Sequence, residues 1–325
     1  MTEGFQNRAG LAIAFVLGGV AAISVNDMLI KQLSGGYPLH QIVFSRSAIG
    51  ILFSLIFVKI EGGWHLLKTD QPALHILRGL LVVVANMTFF VALAALPLAD
   101  ATALFFAAPL FITLLSIPML GEKVGPIRMA AVFVGFIGVV IMQRPWAGTE
   151  TLQASRLVLL MPIIAALTYA LNQLLTRKLG VKAKASVLSV YIQAVFIVVS
   201  VGFFIVAGDG RFAAETANPS VQFLLRAWVW PPQEDWLVFG GLGLNAAIIG
   251  YALSQAYRQA DAATVAPFEY VGLPLAVFWG LVIFGDLPEW EVWVGIALII
   301  GSGLFVFLRE RQKARQVKGR VRGRF

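Results

Sequence analysis

The chain has 325 residues, 59% of them hydrophobic and only 13% charged, with a formal net charge of +8 and no cysteine. A soluble domain carries about a quarter charged residues, so the composition excludes a water-soluble globule, and the missing thiols exclude disulfides, iron–sulfur clusters and a cysteine nucleophile. The excess positive charge falls mostly between Arg309 and Arg324, where it reads as an orientation signal beside a membrane segment and not as a nucleic-acid surface.

A bilayer core needs about 20 apolar residues per helix, and such runs follow one another almost end to end. The pattern predicts an all-α integral membrane protein with helices over 10–32, 38–59, 74–96, 98–120, 126–143, 157–176, 186–207, 236–257, 262–284 and 291–308. The first run is too long for a cleaved signal, and no small-residue cleavage site follows it. It carries Asn26 and Asp27, and Asp27 and Lys31 stand at i and i+4, where they can face one another at the membrane boundary. Arg46 lies about eight residues into the second run, roughly 12 Å from its end. It reads either as a bidentate anchor for a carboxylate or phosphate, or as half of a structural pair with Asp27. In the third run Asn86 is deep, whereas Arg78 is close enough to the end to snorkel.

The fourth run opens on Ala99-Asp100-Ala101-Thr102-Ala103, contains Pro109 and closes on Gly121-Glu122. The ninth follows the same plan, with Ala260-Asp261-Ala262-Ala263-Thr264, then Pro267 and Pro274, then Gly285-Asp286. Asp100 and Asp261 are expected to cap their helices. The echo divides the chain into two related halves, 1–148 and 149–310, followed by a basic tail, 311–325. Five helices per half is an odd number, so the second half enters the membrane from the opposite side, and a solute site is expected near the midplane between them. Asn172 and Gln173 in the sixth run then correspond to Asn26 and Asp27 in the first.

Between the seventh and eighth runs, 208–235 lies outside the membrane and includes Arg226-Ala227-Trp228-Val229-Trp230-Pro231-Pro232. It reads as a solvated loop anchored by two tryptophans, or as an interfacial segment or partial lid. One side of the membrane holds Arg177, Lys178, Lys182, Lys184 and the basic tail; the other holds Lys31, Arg144, Arg156, Arg211 and Arg226. The first side is therefore expected to be cytoplasmic, with both termini on it.

Ionisable groups within hydrocarbon cost about 3 kcal/mol on insertion scales, so each is a candidate for function. Glu269 lies about eight residues into the ninth run, after Pro267 and beside Tyr270. It reads either as a proton-exchanging carboxylate, as a proton-coupled carrier requires, or as a paired acid that holds helices together. Gln255 is a further polar candidate, and Trp279 offers a ring to a planar solute. A nucleotide loop, a metal set and a catalytic constellation are all missing from the sequence. The expectation is a carrier with no catalytic residues, metal or cofactor, in preference to an intramembrane enzyme or a channel.

Each half closes its fourth helix on Gly-acid (Gly121-Glu122; Gly285-Asp286) and continues into a glycine-bearing fifth (Gly135, Gly138; Gly295, Gly301, Gly303). With Asn26-Asp27, Lys31 and Arg46, these features resemble the EamA-type family of the drug/metabolite transporter superfamily. Asp286 departs from the pattern, since glutamate is common there. The resemblance implies ten helices in two inverted repeats, cytoplasmic termini, a plasma (inner) membrane location and transport of a small organic solute by alternating access. Members export amino acids and other metabolites, or import vitamins such as riboflavin, or S-adenosylmethionine. Lipid and a small solute are the expected partners, nucleic acid is not, and a homodimer is left open.

Overall fold

The computed structural model describes residues 3–121, 124–144, 146, 156–178, 184–214, 217–259 and 266–322. Glu122, Asp261, the boundary between 148 and 149 and the end of the tail lie outside the described residues. The regular structure is helical. In chain order it comprises α1 (Glu3–Leu33), α2 (Leu39–Glu61), α3 (Pro72–Leu93), α4 (Leu98–Phe105), α5 (Ala108–Leu120), α6 (Pro126–Met142), α7 (Arg156–Lys178), α8 (Ala185–Ala207), α9 (Pro219–Leu225), α10 (Trp236–Gln259), α11 (Gly272–Trp279) and α12 (Trp290–Arg322). Among the described residues, seven helical stretches are long and apolar enough to cross a membrane, and three shorter apolar ones cover Met129–Met142, Phe268–Phe284 and Trp290–Phe305.

Proline chemistry decides where the predicted runs are regular. The fourth run breaks after Phe105 and restarts at Ala108, with Pro109 in the first turn of α5. There its missing N–H costs nothing. Pro162 lies inside α7 and does not end it. The ninth run is not one regular helix. Its described part, from 266, is a 3₁₀ segment, Ala266–Val271, which continues as α11 and closes in a π turn, Gly280–Phe284. The glycine of each Gly-acid pair has the same task. Gly121 (φ 68°) and Gly285 (φ 70°) both end their helices in the left-handed conformation, which a side chain would strain.

The helices pack as a bundle in which α1 lies along α10, α3 along α7, α2 along both α8 and α10, and α6 along α12. The larger buried cluster joins α1, α2, α3, α8 and α10 through Ile30, Leu39, Ile42, Phe90, Phe196 and Leu242. The smaller joins α4, α7, the ninth run and α12 through Leu104, Ala166, Leu273 and Ile299. Large apolar residues such as Leu52, Ile60, Val198 and Ile205 face outward, as suits helices solvated by lipid.

The segment 208–235 is folded onto the ends of these helices. Asn218 caps α9, accepting from the Ser220 amide at 3.0 Å, and Phe223 is buried. The Ser220 hydroxyl donates to the Val91 carbonyl (2.8 Å). Gln41 exchanges two hydrogen bonds with the Val229 backbone (2.5 and 3.0 Å). Trp228 packs on Phe204 and Phe44, with centroids at 4.6 and 5.3 Å, whereas Trp230 is 85% exposed. Trp228 ties the segment to the bundle, and Trp230 projects outward.

Close approach of α2 and α10 depends on Gly243, where an added Cβ would overlap Ile49. Gly243→Val should lower the melting temperature of the purified protein, since overpacking costs about 1–3 kcal/mol. Gly241→Ala, which meets nothing within 4 Å, should leave it unchanged.

Candidate functional site

Arg46, on α2, is 5% exposed. Its Nη1 donates to Asn26 Oδ1 at 3.2 Å, and Asn26 Nδ2 in turn donates to Asp27 Oδ1 at 3.1 Å. The expected partnership of Arg46 with Asp27 is therefore relayed through Asn26, with the carboxylate close enough to interact electrostatically with the guanidinium. The rings of Phe196 and Phe90 lie 5.1 and 5.9 Å from the guanidinium carbon, within range of a cation–π contact. Arg46 Nε has no hydrogen-bond partner among the described residues. Asn245 of α10 donates to the Ala22 carbonyl at 2.7 Å, which fixes α1 one turn before Asn26.

Lys31 turns elsewhere. Its ammonium donates to the carbonyls of Leu96 (2.6 Å) and Leu93 (3.3 Å) and lies 4.0 Å from Asp286. The expected pairing of Asp27 with Lys31 gives way to one contact within the bundle and another at its end.

A second polar group forms where α7 meets the ninth run. The Tyr169 hydroxyl and the Glu269 carboxylate lie close enough to interact electrostatically, and Gln173 Nε2 donates to the Tyr169 oxygen at 2.7 Å. The i, i+4 spacing of Tyr169 and Gln173 puts both on one face of α7. Tyr270, expected to supply the hydroxyl beside Glu269, points into α12 instead. Its ring packs on Phe106 (5.5 Å) and fills the space over Gly303.

Aromatic rings connect the two groups. From Phe90, beneath Arg46, the row runs to Phe89 (5.5 Å), Phe105 (5.4 Å) and Tyr169 (5.3 Å). Trp279 Nε1 donates to Ser24 Oγ on α1 at 3.3 Å. Asn172, buried on α7, adjoins Gln173. The structure does not bring Asn86 or Gln255 into these groups. Asn86 donates to the Val82 carbonyl of its own helix (3.1 Å). Gln255 donates to Glu61 (3.0 Å), which also accepts from the Ser186 hydroxyl (2.6 Å), at the far end of α2. Sequence reasoning did not single out Tyr169 as the partner of Glu269, nor the phenylalanine row; the Tyr169–Gln173 spacing was the one available signal.

Residues 10–144 match the EamA-like transporter family. Over 308 residues the chain is 32% identical to a riboflavin transporter of Rhizobium johnstonii, an alignment covering 94% of this chain and 93% of that protein. The chain belongs to the EamA-like transporter family. A riboflavin transporter of Vibrio cholerae is 31% identical over 94% of this chain and 95% of its own length. An S-adenosylmethionine uptake transporter of Rickettsia prowazekii is 27% identical over 92% and 93%. A solved crystal structure at 20% identity superposes with a TM-score of 0.65, covering 93% of this chain and 98% of that chain, so the two share a fold.

In this EamA-like transporter, Arg46→Lys keeps the charge and loses the planar fork. A hydrogen bond to a charged group contributes about 1.5–3 kcal/mol, so transport should fall roughly tenfold or more at normal expression. Wild-type transport by both Arg46→Lys and Arg46→Gln would remove Arg46 from the site.

Proposed function

We propose that this EamA-like protein carries a planar, ring-containing small metabolite of the riboflavin kind across the plasma (inner) membrane by alternating access, and that it is a carrier and not an intramembrane enzyme. The observation that carries the reading is the row Phe90–Phe89–Phe105–Tyr169, which has hydrogen-bonding groups at both ends. Offset or edge contacts between aromatic rings contribute about 0.5–1.5 kcal/mol each beyond buried area. A flat heterocycle that replaces some of these contacts with its own gains that stacking. Its polar edges then meet Arg46 and Asn26 at one end and Gln173, Tyr169 and Glu269 at the other. The two relatives named riboflavin transporters agree with this solute class.

The proposal includes two inverted five-helix repeats, 1–148 and 149–310, about ten spans in all, with both termini in the cytoplasm. The helix pairing supports it. Exchanging α1 with α7 and α3 with α10 turns the α1–α10 contact into the α7–α3 contact, and both are extensive. The α2–α8 and α6–α12 contacts map onto themselves under the same exchange. Reporter fusions after Lys182 and within 210–230 should report opposite sides of the membrane; same-side signals would refute this topology.

Glu269 is assigned the proton-coupling role, with the Tyr169 hydroxyl as the neighbouring polar group. Coupling requires a carboxylate whose protonation differs between the outward and inward states. Glu269→Gln fixes the neutral form with little change of shape. In proteoliposomes loaded with riboflavin, accumulation driven by a pH gradient should stop while solute exchange continues. Gradient-driven accumulation at the wild-type rate would make Glu269 a packing residue.

A further inference from the structure

We infer that His40 is a pH-operated latch: its neutral ring holds the 208–235 segment onto the end of the bundle, and protonation from that side of the membrane releases it. The side chain is fully buried in the first turn of α2. Its Nδ1 lies 2.9 Å from the Leu224 carbonyl, at the end of α9. A carbonyl can only accept, so Nδ1 carries the hydrogen and ties a membrane helix to the segment outside it. The ring is stacked on Phe203 of α8 (6.0 Å) and lies beside Trp228 (5.9 Å). The other ring nitrogen, Nε2, is buried and has no hydrogen-bond partner among the described residues, and the same is true of Trp228 Nε1. With Nδ1 donating, neutral His40 presents Nε2 as a bare acceptor, whereas Trp228 Nε1–H is a donor. The two unmet groups on these adjoining rings are therefore complementary.

Protonation removes that complementarity. Nε2 becomes a second donor facing the Trp228 donor, and the ring acquires a charge that is cut off from water. The flanking rings attract a cation weakly, yet neither supplies an acceptor for the new N–H. The first turn of α2 contains no acid, and the positive end of a helix opposes a cation there. The neighbouring elements offer no counter-charge among the described residues. α9 has no ionisable side chain, and α8 has only Tyr191, near its far end. Arg46, the next charge along α2, is held by Asn26. In the segment, Arg226 is bound to the Gly35 and Ser34 carbonyls, Asp235 to the Tyr37 hydroxyl and Asp209 to Arg211. Glu234 adjoins Asp235 in the turn before α10, and Glu215 lies outside the described residues. The docked segment therefore selects the neutral imidazole. Once released, the ring meets water and takes up a proton near its ordinary value of about 6.5. Docking is at full strength above that pH and weakens below it, by about tenfold per pH unit for one proton. Under the topology proposed above, acid on the face opposite the termini loosens the cover over the ends of α2, α3 and α8.

The test needs no solute, so it stands apart from the flavin reading. Hydrogen exchange of the purified full-length protein in detergent, with each rate divided by its intrinsic value at that pH, gives protection factors for the amides of 218–229. From pH 7.5 to 5.5 these factors should fall about tenfold, while those of 47–54 within α2 stay constant. His40→Asn puts an amide nitrogen near the Nδ1 position and cannot titrate, so the pH dependence should vanish. The chain has two other histidines, His65 and His75. His75 stacks on Tyr191 (4.7 Å), whose hydroxyl donates to the Leu67 carbonyl beyond the far end of α2. The double variant His65→Asn/His75→Asn should keep the full response, and it decides the matter even where His40→Asn is already undocked at pH 7.5. Wild-type protection that is constant or rises on acidification would overturn the inference. So would a response that survives in His40→Asn or disappears in the double variant.

Discussion

A guanidinium in hydrocarbon must lose its water and still find partners, and Arg46 meets that requirement by drawing α1, α3 and α8 onto α2. Placing the charge there costs about 3 kcal/mol on insertion scales. The bond to Asn26 and the rings of Phe90 and Phe196 offset it, with hydrogen bonds to charged groups contributing about 1.5–3 kcal/mol and cation–π contacts about 0.5–2 kcal/mol. The same turn of α2 is where α10 comes closest. A Cβ on Gly243 would lie 3.3 Å from the Arg46 carbonyl oxygen. Asn245, half a turn further along α10, holds α1 through the Ala22 carbonyl. The polar centre and a close α2–α10 contact thus share one stretch of α2.

The ninth run serves the other end of that row through irregularity. Its 3₁₀ segment carries Glu269 to within electrostatic reach of Tyr169 on α7, while the following α11 keeps Gly272 close to Phe106 and Val20 of α1. Polar ties close both ends of the bundle around these elements. At one end Lys31 spans from α1 to the Leu93 and Leu96 carbonyls, and Arg144 holds Glu289 (2.5 Å) and Glu291 (3.6 Å) just beyond the ninth run. At the other end Glu61 joins α2 to α8 through Ser186 and to α10 through Gln255. Breaking either set frees a different group of helices, which is the physical requirement for opening one side at a time.

Much of this was legible in the sequence. Apolar run length marked the membrane segments, because a bilayer fixes how many residues a span needs. The Gly-acid pairs marked helix ends for a reason the structure makes explicit: both glycines take the left-handed conformation. Burial cost singled out Arg46 and Glu269, and both lie in polar groups that link different helices. Other features depend on rotation and depth, which spacing does not encode. Asp27 and Lys31 share a helix face by count, yet lie at different heights and find different partners. Glu269 and Tyr270 are neighbours in sequence, but consecutive residues in a helical segment point apart, and it is Tyr169 on α7 that shares a polar group with Gln173 near Glu269. The aromatic row was hidden by abundance: with 24 phenylalanines in the chain, composition gives no reason to favour Phe89, Phe90 and Phe105. The 208–235 segment was read as a solvated loop or an interfacial lid. Its docking depends on pairings such as Gln41 with Val229, which join residues far apart in sequence.

The central claim is that the solute lies along the aromatic row between Arg46 and Glu269. An experimental structure determined at saturating riboflavin tests it most directly. The account predicts density for the ring system stacked on Phe89, Phe90 or Phe105, with a ring acceptor facing Arg46 Nε and the opposite edge toward Tyr169 and Gln173. Density at the Lys31–Asp286 end or on the lipid-facing surface, or none between the two polar groups, would contradict it.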